Sequence, residues 1–548
     1  GNLSVTDGAL QAGSLDISGN IDVDGTANLD VVDIDGAVDM ASTLTVNDSV
    51  TLQSSGSSKP NLTIKNTNAD ANPPAITFQK DSASPADNDE IANINFYGDD
   101  DGGNVAAYAN FKVVASDVSN GSEDGKMTIK TMKAGTLTDT LVLESGAISA
   151  DVTFADGADI ITASAGTSNF RAGVNAGNSI ASGGNYNTVV GDEAGTALTT
   201  GDGNVAVGFE ALATEDADGS NTAIGYRALK VLNAGAEGYN VAVGTDAGLS
   251  MTLGIQNTLV GNKAGDALTD ADFNVAVGRS SLTSDTLGSK STAVGHGTLN
   301  TQNFTSATDS FNTAVGYQAG ASVSTGVQNT LIGGLAGDAI TTADENTAVG
   351  YEALSATTTG TKNTAIGKRS MFANTEGEFN VAIGRNTLAA NTTADGNIAI
   401  GANAMVANTT GTDNVAVGNA ALDANTTADN NTSVGKSSLT SNTTGHSNTA
   451  VGKDALDSNT TGDYNVSLGI DSLQANTTAD HNTGIGSDSL ATNTTGANNT
   501  AVGSSALVAN TTADNNTAVG RSALAANTTA SNNTAVGYAS LTANTTGA

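Results

Sequence analysis

NVAVGNAALDANTTADN, residues 414–430, is followed at once by NTSVG (431–435), and the chain has begun the same phrase again seventeen residues later. Aligned on the glycine that closes each opening phrase, the chain repeats it 21 times from Gly191 to Gly537. Of the 20 intervals, eighteen are 17 residues, one is 19 (Gly225 to Gly244) and one is 21 (Gly295 to Gly316). A period this strict points to stacked repeats. The residue before the glycine is Val or Ile except at Leu468, and the residue four before it is Asn except at Ser291. Fifteen of the residues two before it are Ala. β-Branched residues at alternate places, then Gly, then Asn-Thr-Thr turns, read as short strands rather than helix.

Seventeen residues suit one coil of a parallel β-solenoid or β-roll, with neighbouring coils about 4.8 Å apart. Stacking turns each column into a ladder, and an Asn column can pass amide hydrogen bonds from coil to coil. The glycine column marks a positive φ or a close backbone approach. The fold class expected is therefore all-β and fibrous, with about 21 coils and a length of roughly 100 Å. A left-handed hexapeptide helix fits poorly, because the aliphatic places before and four after the glycine are five and then twelve apart. The Val and Ile column and the Leu column are expected to form a thin core. The Ala column, on the opposite side of the strand, is expected to face another copy of the chain.

Ahead of the array, residues 1–55 read as an acidic, Gly-rich β-stalk, with no Lys or Arg among them. Residues 56–150 carry longer alternating stretches such as AAYANFKVVAS and KMTIKTMK and read as a compact antiparallel β-domain of sandwich type. Residues 151–186 are a connector, in which Gly173 marks a degenerate copy able to cap the solenoid, and 187–548 is the array. The last copy stops two residues short of its next Asn, so a capping segment or a cleavage point is expected beyond Ala548.

The 548 residues carry 56 acids against 20 bases, a net charge of −36, with 65 Gly and no Cys or Trp. That balance opposes nucleic acid as a partner and leaves neither disulfides nor thiolate metal sites. No apolar run reaches the 18 residues of a spanning helix, so no membrane insertion is expected, and the first residues show no secretory signal pattern. No catalytic motif occurs, and His296, His446 and His481 occupy different columns of the repeat. No catalytic residue and no obligate cofactor is therefore expected. GDDDGGN (98–104) places Asp99, Asp101 and Asn104 like the oxygen ligands of a Ca2+ loop, although a plain acidic turn reads as well.

The two places after each glycine vary while their neighbours do not, and nine of the twelve Lys and Arg beyond Gly191 stand there. Tyr226, Arg227, Tyr317, Tyr351, Lys368 and Arg369 are the candidates in that stripe for contact with a receptor or a neighbouring chain.

NTAVGYQAG (312–320), NVAVGNAAL and NTAIGYRAL resemble the head repeats of trimeric autotransporter adhesins, which are three-chain, left-handed parallel β-rolls. Long arrays of this type are also similar to segments of bacteriophage tail fibres and tail spikes. The likeness covers residues 187–548, and the period is longer than in the usual adhesin head. It implies an intimate homotrimer that serves as a structural attachment fibre on a virion tail, binding a host-cell surface glycan or protein. The alternatives are a bacterial trimeric surface adhesin and a self-assembling extracellular filament.

Overall fold

The computed structural model describes residues 83–119, 124–133, 135–146, 149–153 and 166–547, with short stretches between 44 and 81. The acidic stalk expected at 1–55 lies almost wholly outside the described residues. Two units divide the chain at Gln79, and every strand among the described residues belongs to the second, Lys80–Ala548.

The first part of that unit is an antiparallel meander: β1 (Asp89–Asp99), β2 (Val105–Asp117), β3 (Asp124–Lys133), β4 (Thr136–Gly146) and β5 (Ser149–Thr153), paired in chain order. The antiparallel strands agree with the sequence. They form one sheet, however, and among the described residues no second sheet covers it. Large side chains on this sheet, including Phe96, Tyr97 and Tyr108, stay exposed.

From Phe170–Ala172 to Thr534–Val536 runs a ladder of 22 three-residue parallel strands, one per coil, joined in strict register. The array thus begins one coil earlier than expected, at the degenerate copy around Gly173. In each strand the middle residue points inward and its two neighbours outward, as the two-residue period of a strand requires. Ala416 has no exposure, whereas Val415 and Val417 are half-exposed. This reverses the expectation that the Val and Ile column fills the core and the Ala column faces out. The reason is the Asn four places before the glycine, which shares the inner face with Ala because the two are two residues apart.

That Asn is fully buried in almost every coil. Its Oδ1 accepts the backbone N–H of the Asn one coil later, as from Asn414 to Asn397 at 3.0 Å. Its Nδ2 donates to a carbonyl fourteen residues on, as Asn414 does to Ala428 at 2.8 Å. In water such a bond competes with solvent; sealed inside, it satisfies groups that would otherwise lose several kcal/mol on burial. A second ladder runs through the Asn of each Asn-Thr-Thr, as from Asn425 Nδ2 to Asn408 Oδ1 at 2.7 Å. A third uses Asp six before the glycine: Asp429 Oδ1 accepts the amide of Thr412 at 2.7 Å, and Asp463 accepts that of His446 at 2.6 Å. Among the described residues only Ser116 Oγ and Ser540 Oγ are buried side-chain polar atoms without a partner.

The apolar filling is shared between two places. Where the fourth residue after the glycine is Leu or Met, as Leu422 or Met405, it fills the core in every coil but the last, where Leu541 is exposed, and the seventh is polar in every case but Leu232. Where the fourth is Gly, the seventh supplies the bulk instead: Leu198, Met251, Leu268, Val323 and Ile340 are all buried. A Cβ on Gly320 would stand 2.7 Å from Leu331 Cδ1 and 2.9 Å from Leu299 Cδ2, so leucines of the neighbouring coils already fill that place; only the 19-residue coil buries both, as Leu229 and Leu232. The buried leucines at the fourth place hold positive φ, 54° at Leu422, a backbone state that a bulky residue keeps only when packing fixes it.

The repeat glycine has both features the sequence implied. Gly418 has φ 147°, and a Cβ there would lie 2.2 Å from the carbonyl oxygen of Gly435. The 21-residue coil is where the first ladder breaks, because Ser291 replaces Asn. Gln302 repairs it, donating to Asp285 Oδ2 at 2.6 Å and Ser291 Oγ at 2.9 Å and accepting from Asn312 Nδ2 at 2.8 Å.

Two substitutions test this packing. Leu422→Ala should destabilise its coil by about 2–5 kcal/mol, and Gly418→Ala should prevent the contact between the coils of Gly418 and Gly435. Amide hydrogen exchange should report both as lost protection centred on residues 400–450. Unchanged protection in Gly418→Ala would show that the coils do not approach as described.

Candidate functional site

Outside the core the coil presents three kinds of surface. The outward residues of the strands form a flat face between Thr188 and Val536. Of its 42 side chains, 41 are Thr, Val or Ile, the other is Leu468, and none is charged. Two rails of bulkier residues run alongside, one at the places directly after the glycine and one five places before it.

The first rail holds the stripe identified in the sequence. Arg227 lies 2.8 Å from Asp246 Oδ1 in the next coil, with its guanidinium 4.9 Å from the Tyr226 ring centre. Tyr226 in turn stacks on Phe209 at 5.4 Å. Tyr317 stacks on His296 at 5.5 Å and 16°. Lys368 Nζ stands 5.8 Å from the centre of Tyr351. Arg369 reaches Glu352 at 3.3 Å and lies 4.1 Å over Phe372. A hydrogen bond to Glu352 holds the Tyr351 phenol above its usual pKa. Most of these pairings join neighbouring coils, so ring faces are turned along the stack. Tyr351, Lys368 and Arg369 thus form one cluster; Tyr317 lies two coils away, and Tyr226 with Arg227 five coils further.

Several of the stripe's bases are therefore neutralised within the chain. Among the described residues no ion pair forms at Lys368 or Arg385, which occupy the same place in consecutive coils.

The second rail was missed in the sequence. Tyr186, Tyr239, Phe273, Phe311, Phe379 and Tyr464 stand five before the glycine, all exposed and all with positive φ. Lys290 lies over Phe311 at 5.3 Å, Lys362 over Phe379 at 5.1 Å, and Tyr464 stacks on His481 at 5.0 Å. With Lys290 and Lys362 this rail takes two of the three array bases that lie outside the first. Counting every column, rather than only the variable one, would have revealed it.

The Ca2+ candidate sits in the hairpin between β1 and β2. Asp100, not Asp99 or Asp101, is its hub: Asp100 Oδ1 accepts the amides of Gly102 at 2.9 Å and Asn104 at 2.8 Å, and the Asn104 side chain also turns onto it. Those bonds hold the Asp100 carboxyl below its usual pKa. The arrangement is that of an Asx turn.

A different acidic group is brought together by the array. Oxygens of Glu215, Asp216 and Asp218 lie within 4.8 Å of one another. Glu215 stands at the seventh place after its glycine, fully buried between Leu198 and Leu232 of that column. It accepts the amides of Asp218 at 3.2 Å and Ala234 at 3.4 Å. Burial, reinforced by Asp218 and Asp216, pushes its pKa up to about 7. Asp266, Asp338, Asp423 and Asp457, half-buried at the fifth place, are also raised by desolvation.

Comparison with known protein families, curated proteins and solved structures returns no match.

A raised acid pKa makes the folded state hold its proton longer than the unfolded one. The stability due to protonated Glu215 is thus complete below about pH 4.5 and lost as pH rises through about 7. Glu215→Gln should therefore protect residues 212–234 at pH 8 relative to the parent and differ little at pH 5. Hydrogen exchange corrected for intrinsic rates measures this, and equal protection at both pH values would contradict the burial of a neutral acid.

Proposed function

We propose that this chain is the repetitive shaft of a homotrimeric attachment fibre, of the kind that bacteriophages use to engage a host-cell surface. The observation that carries the reading is the uncharged face of Thr, Val and Ile. A chain of net charge −36 leaves a strip roughly 100 Å long without one charged side chain, and its branched side chains are already stiff at χ1. At about 10 Å of effective width the strip offers ~1,000 Å² per chain, within the range of stable specific interfaces. Uncharged and built of stiff branched side chains, it suits close packing against copies of itself, and burying it removes a long stripe of exposed Val and Ile from water. The inter-chain surface is then the Val and Ile column with the Thr and Val column beside it, in place of the Ala column.

The mechanism follows from the geometry. Backbone ladders stiffen each chain along its length, the apolar faces hold the chains together, and the rails remain at the edges of each face. Repetition presents the same edge chemistry at every coil, so weak individual contacts add along the fibre. The rails supply aromatic and cationic groups suited to a surface glycan or protein.

Sedimentation of the full chain should give three times 53.9 kDa. Val417→Glu combined with Val434→Glu should reduce that mass toward the monomer while far-UV circular dichroism stays that of the parent, because both side chains lie outside the core. A parent that sediments as a folded monomer, or a double variant that keeps the trimer, would refute the reading.

A further inference from the structure

The two edges of the uncharged strand face carry opposite charge. On one side, the place directly after the repeat glycine holds six bases in 21 coils and a single acid, Asp192 in the first coil. On the other, the place six before the glycine holds nine acids and neither Lys nor Arg. Acids outnumber bases 56 to 20 in this chain, yet one edge excludes them for twenty consecutive coils. The fold does not demand a base there, because Ala402, Asn419 and Ser487 occupy the same place.

Neither edge is satisfied within the chain. The ion pairs of the first rail belong to Arg227, Arg369 and Lys453. Among the described residues Arg385, Lys436 and Arg521 have none, and the Arg279 side chain bonds only to His296, at 3.4 Å. On the acidic edge Asp272, Asp429 and Asp514 each give Oδ1 to the amide one coil earlier, at 2.8, 2.7 and 2.7 Å. Their Oδ2 atoms accept no hydrogen bond among the described residues, and neither oxygen of Glu378 does.

Chains that pack through the strand face can meet in two ways. When they run parallel about an axis along the rod, each basic edge meets the acidic edge of the next chain, a heterologous contact that closes into a ring. When they run antiparallel, basic edge meets basic edge and acidic meets acidic, so charge opposes that arrangement.

Charge also fixes the height of one chain against the next. The two places are seven residues apart in one coil, so at about 4.8 Å per coil they differ in height by roughly 2 Å. With the chains level, Arg279 opposes Asp272 and Arg385 opposes Glu378. Further along, Lys436 opposes Asp429 and Arg521 opposes Asp514. Four of the six bases are thus matched, whereas sliding the neighbour by one coil matches three in one direction and two in the other. The other two, Lys368 and Lys453, have an acid in the coil on either side. Lys362 stands level with Lys368 but lies over Phe379 of the next coil, at 5.1 Å.

We infer that these two places are the mating edges of the trimer, with bases of each chain paired to carboxylates of the next at the same coil. This pairing rests on the trimer reading and adds the direction and register of the chains to it. An exposed ion pair contributes little by itself. Four pairs at three contacts make twelve per trimer, and their main effect is to select the parallel, level arrangement. Assembly occupies these four bases and leaves the rings and remaining bases of the rails to other partners.

The test is sedimentation of the full chain over a dilution series at low ionic strength. Arg385→Glu should raise the concentration at which the trimer half-dissociates by about threefold, and Arg385→Glu with Lys436→Glu and Arg521→Glu by about tenfold or more. Glu378→Arg should also raise it about threefold, although it lowers the net negative charge. Arg385→Glu combined with Glu378→Arg restores opposite charges across every contact and should return the parent value. Neither side chain bonds within its own chain, so far-UV circular dichroism should not change in any of these. Asp429→Asn with Asp514→Asn keeps the amide acceptors, removes two charges, and should weaken the trimer about threefold. Added salt should shrink all these differences. A general effect of net charge predicts that Glu378→Arg strengthens the trimer, and local damage predicts no recovery in the combined variant; either result overturns the pairing. A trimer that the single and triple variants leave unchanged overturns it too, with the fibre reading intact, whereas a monomeric parent refutes both.

Discussion

A buried asparagine whose Oδ1 accepts the next coil's amide is the bond on which the rest of this architecture depends. A thin solenoid encloses little apolar volume per coil, and each coil must offset the conformational entropy of seventeen ordered residues. Most of its inward surface is Ala, Ser, Thr and Gly, which contribute little by burial. The asparagine both satisfies its own amide and ties a backbone N–H that no strand pairing reaches. It repeats because its partner repeats: a coil without it, such as the one with Ser291, leaves the next coil's amide without that acceptor. There Gln302, Asp285 and Ser310 assemble a substitute network from a coil lengthened to 21 residues. The length change and the lost asparagine are two sides of one accommodation.

The second constraint is volume. The 17-residue coil takes one large aliphatic group beside the strand, from either the fourth or the seventh place after the glycine; the 19-residue coil takes both, Leu229 and Leu232. When the fourth takes it, the seventh becomes free for a polar group, and from Asn374 onward that group is always Asn, forming the second ladder. Glu215 and Asp285 stand at the same place earlier in the array, where the ladder has not begun. Asp285 accepts from two amides and Gln302, whereas Glu215 has only two long bonds, and burial raises its pKa to about 7. The raised pKa of Glu215 is thus a consequence of where the core volume was placed.

With the interior so uniform, individuality is confined to the outside. The strand face is kept free of charge, while the flanking rails carry ten of the twelve aromatic residues beyond residue 187 and eleven of the twelve bases beyond Gly191. Aromatic side chains at the second rail adopt positive φ while exposed, so burial gives them no return for that conformation; elsewhere the place is often taken by Gly, Asn or Asp, for which it is easy. Surface residues that the fold does not favour are the ones whose presence asks for a partner.

The sequence alone determined the coil length, the number of stacked copies to within one, the parallel strands and the existence of amide ladders, because a strict period leaves a repeating chain few ways to satisfy its backbone. It also showed the basic stripe, since position within a repeat is read directly. It misled about which side of the strand is inside. Val and Ile are more hydrophobic than Ala, and transfer energies taken residue by residue put them in the core. The tertiary structure decided otherwise, because Asn414 and Ala416 share a face and an asparagine ladder has value only where water cannot compete. Pairings such as Arg227 with Asp246, and the stack of Tyr317 on His296, were likewise settled only by stacking. Contacts between coils depend on what stands seventeen residues away at the same place, which only the stacking brings together.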